Sequence, residues 1–284
     1  MTLQVAPLSD VMAAEITGVD VAAAGDEEFR QIHRAHLDHG VIVLRDQHLT
    51  PEQQIAFSRR FGELDYQVLD QYALPGLREI LVLSNKKVDG KPLGLPDGGR
   101  RWHTDMSYND EPPLGSLLYG LEVPPEGGNT KFANMYAAYD ALPEDLKQSI
   151  AGLRAVHDYQ RHYKKADEKS GGNRAKLRDD QIESLQPAVH PIVRTHPETG
   201  RKSLYIDEGH TVGIEGMDDD AAAPLIRRLY EHSIQPQFVY SHAWRQFDLV
   251  FWDNRCVMHQ AQPYDQDKYV RHMHRTTVKG GRPF

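Results

Sequence analysis

A single cysteine, Cys256, stands among 284 residues, so no disulfide can form within the chain. Lone cysteines fit a reducing cytoplasm. Cys256 lies in the largely apolar stretch Leu-Val-Phe-Trp-Asp-Asn-Arg-Cys-Val-Met and reads as a small buried hydrophobe rather than a nucleophile. No apolar run approaches the roughly 20 residues that cross a bilayer; the best, Val41–Leu44 and residues 249–252, are strand-sized. The first residues lack the basic patch and apolar core of a secretory signal. Positive charge is in deficit: 33 Lys and Arg against 41 Asp and Glu give a net charge of −8 and a pI near 6.0. That balance disfavours nucleic acid or an anionic membrane as partner. Internal repeats and Ser/Gly linkers are missing as well. What is present, 39% hydrophobic and 8% aromatic residues, supports a well-buried core and excludes a disordered chain. The simplest organisation is one domain over residues 1–284, cytoplasmic and homo-oligomeric as a dimer or tetramer.

The pattern predicts a helix over residues 27–39 closed by Gly40, and then a buried strand, Val41–Leu44. Thr50-Pro-Glu-Gln53 has the form of a helix start, with Thr50 as N-cap and Gln53 closing a capping box; that helix is expected to run to about Gly62. Further strands are expected at 80–83, 117–119, 130–132, 188–194, 203–206, 238–240, 249–252 and 275–278, with helices near 143–153 and at Asp219–Ser233. Six glycines and prolines within residues 86–101 mark a loop. Residues 158–186 carry seven Lys/Arg and six Asp/Glu around Gly171-Gly172, and read as a solvated insertion or lid. Many short strands with few helices predict a mainly β fold, a sandwich or barrel with flanking helices.

The sharpest chemical feature is Trp102-His-Thr-Asp105. In extended chain, residues two apart face one side, so His103 and Asp105 can converge. An imidazole beside a carboxylate supplies two-thirds of the facial metal site of non-haem Fe(II) oxygenases. His259, 156 residues downstream and just beyond an apolar strand, can complete it. Arg271 and Arg275 follow with shared strand parity, so both can point inward. Two inward guanidiniums are costly to bury unless anions meet them, and their forks suit carboxylates.

These motifs, with Gly127-Gly-Asn-Thr130, the stretch from His190 to Tyr205, Phe251-Trp-Asp-Asn-Arg255 and Arg271-His-Met-His-Arg-Thr-Thr277, resemble the taurine dioxygenase / 2,4-dichlorophenoxyacetate dioxygenase (TauD/TfdA) family over nearly the whole chain. The resemblance implies a double-stranded β-helix (jelly-roll, cupin-like) core and an oxidoreductase that uses Fe(II), 2-oxoglutarate and O2. It implies that His103, Asp105 and His259 hold the iron and that Thr130 and Arg271 bind the far carboxylate of 2-oxoglutarate. Arg275 would face an anionic group of the substrate or touch the near carboxylate of 2-oxoglutarate. Met106 and Tyr108, close behind the ligand pair, are expected at the substrate, and segments 86–101 and 158–186 over the pocket. The reaction implied is oxidation, by hydroxylation with or without C–O or C–S cleavage, of a small anionic organic molecule, with release of succinate and CO2.

Taurine itself is not the expected substrate. Where taurine-specific members have a His and a Tyr after the Phe-Gly of the second helix, and an Asn four residues before the first ligand, this chain has Gln67, Asp70 and Gly99. Two other readings are a Zn-dependent hydrolase on the same residues and a metal-free jelly-roll binding module. His210 is expected in a surface loop, His272 and His274 facing away from the arginines, Trp252 and Asn254 packing and capping the strand ahead of His259, and His33, His36 and His39 as ordinary helix residues.

Overall fold

The structure is a computed structural model that describes residues 2–66, 70–96, 98–169 and 178–284. Its largest element is an eight-stranded sheet in the order Gln4–Pro7, Ala14–Thr17, Val41–Leu44, Leu249–Asp253, Gly115–Glu122, His272–Val278, Leu77–Ser84, Ala73–Leu74. Within it only Ala14–Thr17 and Val41–Leu44 pair in parallel. A three-stranded sheet of Val239–His242, Thr130–Asn134 and Val257–Ala261 packs against it, giving the jelly-roll core.

Alternation along the strands explains the layering. Val41, Val43, Leu118, Val250, Trp252 and Met273 share a cluster with Phe132 and Val257 of the smaller sheet. Their neighbours Ile42, Leu44, Leu117, Tyr119, Leu249 and Phe251 join Ile32, Ala35, Ile55 and Phe57 of two outer helices. Strand side chains alternate between faces, so a strand covered on both sides must be apolar throughout. Val41–Leu44 is such a strand, buried at all four positions. A third cluster covers the outer face of the smaller sheet, joining Ala133 and Met258 to Met135, Ala138 and the helix Asp219–Ser233.

The first helix is Asp26–His39, and Gly40 ends it at φ 70°, its N–H donating to the His36 carbonyl at 2.8 Å. That left-handed conformation favours glycine. The second, Pro51–Ser58, begins with the predicted box: Thr50 Oγ1 accepts from Gln53 N–H at 3.2 Å, and Gln53 Oε1 from Thr50 N–H at 2.8 Å. It stops four residues short of Gly62, in turns over Arg59–Gly62. The strand expected over 188–194 is broken into Ala188–Pro191 and Val193–Thr195. Pro191 has no N–H to donate, and Ile192 bonds instead to Leu153 and Tyr205. The helix Met135–Asp140, unforeseen, is capped by Asn134, whose side chain accepts from Tyr136 and Ala137 N–H.

Both presumed loops contain regular structure. In 86–101, Lys87–Val88 pairs with Lys91–Pro92 as a hairpin turned by Asp89-Gly90. Segment 158–186 contains the helices Tyr159–Lys169 and Asp179–Ser184; its middle, 170–177 with Gly171-Gly172, lies outside the described residues, as does Gln67. Among the described residues no helix is long and apolar enough to cross a membrane.

One buried ionic cluster ties three parts of the chain together. Asp253 accepts from Arg255 Nε and Nη2 at 2.8 and 2.6 Å, and lies 3.1 Å from His196 Nε2 and 3.4 Å from His36 Nε2. His36 is fully buried and stacks on Phe251, ring centroids 3.8 Å apart. Burial would raise the Asp253 carboxyl, but Arg255 and the two histidines outweigh it and hold it well below the usual range.

Candidate metal centre

His103 and His259 sit opposite one another as an antiparallel pair. His103 N–H donates to the His259 carbonyl at 3.0 Å and His259 N–H to the His103 carbonyl at 2.8 Å, which brings the ring centroids within 4.1 Å. Asp105 reaches the same point: its Oδ1 is 3.7 Å from His103 Nε2 and 3.8 Å from His259 Nε2. The three ligand atoms lie within 4.8 Å of one another, the only such group among the described residues. Two imidazole nitrogens and one carboxylate oxygen suit a divalent transition metal and leave coordination positions open.

The surrounding bonds orient each donor. The Arg101 carbonyl accepts from His103 Nδ1 at 2.8 Å, placing the proton there and leaving the Nε2 lone pair toward the other two ligands. Asp105 divides its oxygens. Oδ2 accepts from Ser116 Oγ at 2.8 Å, with Asn254 Nδ2 at 3.5 Å, while Oδ1 accepts from Arg275 Nη1 at 2.8 Å. Asn254 is itself fixed by Trp252 Nε1 at 3.0 Å, and Trp252 packs on the His259 ring at 4.5 Å.

Protonation favours metal binding. Burial drives the His103 and His259 pKa values below that of free imidazole, so both rings are neutral with a lone pair to offer. Burial alone would raise Asp105; the Arg275 guanidinium, with the Ser116 hydroxyl bond, offsets it, and the carboxylate stays ionised.

The other expected site residues fall in four places. Arg275 lies against Asp105. Arg271 directly precedes the strand His272–Val278 and continues its regular ladder, its carbonyl accepting from Asn85 N–H at 3.3 Å; the register shift beside Met273 lies on the neighbouring strand Gly115–Glu122. Burial lowers Arg271 to about 10, and among the described residues its side chain has neither ion pair nor hydrogen bond. Thr130, buried on the smaller sheet, accepts from Trp244 Nε1 at 3.0 Å and keeps its own O–H to donate. Met106 and Tyr108 pack with Leu185 and Tyr159, and the Tyr108 and Tyr159 ring centroids are 4.8 Å apart. Gly99 has φ 75°, and a Cβ there would stand 3.1 Å from His103 Cε1, so an asparagine at this position would strain the backbone and crowd the ligand.

His210 is not a surface residue: it is 7% exposed, bonded to Asp207 and Ser107, with its ring 6.2 Å from His103 and 5.1 Å from Tyr108. Ser116, Asp207 and Tyr159 also went unread. Only Asp207-Glu-Gly-His210, a turn signal between strands, could have drawn attention to one of them.

Comparison with known proteins agrees with this geometry. Residues 4–277 match the model of the taurine catabolism dioxygenase TauD, TfdA family. An (S)-phenoxypropionate/α-ketoglutarate dioxygenase of Sphingobium herbicidovorans is 36% identical, over 92% of this chain and 90% of that one. The α-ketoglutarate-dependent 2,4-dichlorophenoxyacetate dioxygenase of Cupriavidus pinatubonensis is 36% identical, over 93% and 94%. The crystal structure of AAD-2 with Mn(II) and N-oxalylglycine superposes with a TM-score of 0.82 at 35% identity, covering 100% of this chain and 99% of that one. The chain belongs to the TauD, TfdA family and is an Fe(II)- and 2-oxoglutarate-dependent dioxygenase.

Proposed function

We propose that His103, Asp105 and His259 hold the Fe(II), and that the enzyme oxidises a small organic anion with an aromatic body, an aryloxyalkanoate-like carboxylate being the favoured class. The observation that carries the ligand assignment is the meeting of two neutral imidazoles and one ionised carboxylate within 4.8 Å. Bound iron with 2-oxoglutarate and O2 supplies oxidative decarboxylation to succinate and CO2, coupled to insertion of oxygen at a substrate C–H bond.

The protein binds, orients and excludes water. Arg271, desolvated and lacking a carboxylate partner among the described residues, would receive the far carboxylate of 2-oxoglutarate, with the Thr130 hydroxyl donating beside it. Arg275, 2.8 Å from the Asp105 oxygen nearest the two histidines, would meet an anionic group of the substrate or the near carboxylate of 2-oxoglutarate. Tyr108 and Tyr159, with Met106, offer a largely apolar aromatic wall next to His210. The relatives' action on phenoxypropionate and 2,4-dichlorophenoxyacetate supports that class. Segments 86–101 and 158–186 would close over this pocket. A cytoplasmic setting accords with the lone buried Cys256, and assembly as a dimer or tetramer can be weighed by sedimentation.

Anaerobic titration with Fe(II) and 2-oxoglutarate, followed by a screen of small acids for substrate-dependent succinate release, tests the whole reading. Release with an aryloxyalkanoate but not with taurine is the expected result. Release with none of the organic acids would overturn the substrate class.

A further inference from the structure

Asp207 lies in the turn before the strand Thr211–Ile214, 1% exposed. Its Oδ2 accepts from Thr104 N–H at 3.2 Å, Ser107 Oγ at 3.0 Å and His210 Nδ1 at 3.2 Å, and its Oδ1 from His210 N–H at 2.5 Å. Two of these donors bracket one stretch of chain: Thr104 precedes Asp105 and Ser107 follows Met106. Between them Met106 has φ 48°, a left-handed conformation that an unbranched side chain adopts rarely and only where its surroundings impose it. That turn begins at Asp105 and carries the chain away from it.

The same turn touches the first ligand from behind. Gly209 N–H donates to the Trp102 carbonyl at 3.1 Å, and a Cβ on Gly209 would stand 3.1 Å from His103 Cβ. On the other edge, Thr104 Oγ1 donates to the Val257 carbonyl at 3.3 Å and His103 pairs with His259. The segment carrying two of the three proposed ligands is thus gripped from both sides, and on one side the grip ends in a single buried carboxylate.

We propose that Asp207 is a positioning residue for the metal centre: it holds residues 104–107 in the strained turn that aims the Asp105 carboxylate at the two imidazoles. A carboxylate suits this task because every partner is a donor. An amide in its place would set an N–H2 against one of them, and alanine would leave Thr104 N–H and Ser107 Oγ short of an acceptor.

The inference rests on the proposed ligand set, and the test separates the two. Co(II), a redox-stable probe with a visible ligand-field spectrum, is titrated anaerobically into wild type, Asp207→Asn, Ser107→Ala and His103→Ala. Asp207→Asn is expected to weaken Co(II) binding about tenfold, the effect typical of partners just outside the ligand shell. It is also expected to shift the visible bands while the thermal midpoint stays near that of wild type. If the Asn variant does not fold, Ser107→Ala, which releases one of the two grips, is expected to shift the same bands with a smaller loss of affinity. Wild-type affinity and spectrum in the folded Asp207 or Ser107 variant, with binding lost in His103→Ala, overturns the positioning role alone. A loss of affinity that only tracks a fallen thermal midpoint overturns it too. Wild-type binding in His103→Ala overturns the ligand assignment instead.

Discussion

His103 and His259 exchange both of their backbone hydrogen bonds, so peptide geometry brings the two rings together whether or not an ion lies between them. Removing either imidazole therefore deletes a proposed ligand without opening the fold. His103→Ala and His259→Ala are expected to abolish substrate-dependent succinate release. The thermal midpoint is expected to stay within about 4 °C of wild type, the shift that roughly 1 kcal/mol produces in a chain of this size. Calorimetry beside the turnover assay checks both, and measurable turnover in either variant removes that histidine from the ligand set.

Arg271 carries a desolvated guanidinium with no carboxylate partner among the described residues. Hydrogen bonds to charged groups contribute about 1.5–3 kcal/mol, so Arg271→Ala is expected to weaken 2-oxoglutarate binding by roughly 10- to 150-fold. Titration of the metal-loaded protein with 2-oxoglutarate reads this directly. An unchanged dissociation constant would assign the far carboxylate to another residue.

Ser116 Oγ holds the Asp105 oxygen that turns away from the histidines. In Ser116→Ala the carboxylate loses this 2.8 Å contact and gains freedom to rotate, which is expected to weaken metal binding about tenfold. A dye-competition measurement of Co(II) affinity is sufficient, and wild-type affinity would show that Arg275 and Asn254 alone hold the carboxylate.

Stability should fall on the acid side for a reason that can be traced to single residues. His274, on the central strand His272–Val278, is 7% exposed, and burial, with His272 adding to it, brings its pKa down to about 4. An unfolded histidine titrates near 6.5. Between those values the unfolded chain binds the extra proton, so stability rises with pH and is lost as pH falls from about 6.5 toward 4. One such site contributes up to about 1.4 kcal/mol per pH unit. Urea unfolding of His274→Gln at several pH values across this range should give a slope shallower than wild type by about that amount. Parallel slopes would refute the assignment.

Asp253 anchors Arg255, His196 and His36 in the interior. Asp253→Ala leaves the Arg255 guanidinium buried with only Glu198, at 2.6 Å, to meet it. A loss of about 3–5 kcal/mol is expected, seen as a lower urea midpoint at constant m. A loss below ~1 kcal/mol would mean that Glu198 suffices.

Most of the scaffold is legible in the sequence, because its signals are local. Thr50, Gln53 and Gly40 announce helix ends by chemistry that acts within four residues, and the run Val41–Leu44 announces burial on both faces. The grouping of the three proposed ligands was legible because His103 and Asp105 lie two apart and His259 follows an apolar strand. What escaped depends on distant partners. Ser116 and Asp207 meet the ligand segment from 11 and 100 or more positions away; nothing local marks Ser116, and only a turn signal marks Asp207. His210 looked like a loop residue because a turn carries it, yet that turn folds inward onto Ser107. The two presumed loops failed differently: glycine and charge mark exposure, and an exposed segment can still form a hairpin or helices.

The strand Leu249–Asp253 sends Phe251 to one layer and Trp252 to the other, and six residues after it His259 meets the first ligand. One codon gained or lost between positions 249 and 259 would put Trp252, Asn254 and His259 out of phase with their partners at a stroke. Along this stretch the gene can change by substitution but not in length, whereas the hairpin around Asp89-Gly90 can lengthen without moving any ligand. Variants in substrate choice are therefore to be sought in loop length, and losses of the oxidation chemistry in frame-preserving indels near the C-terminal strands.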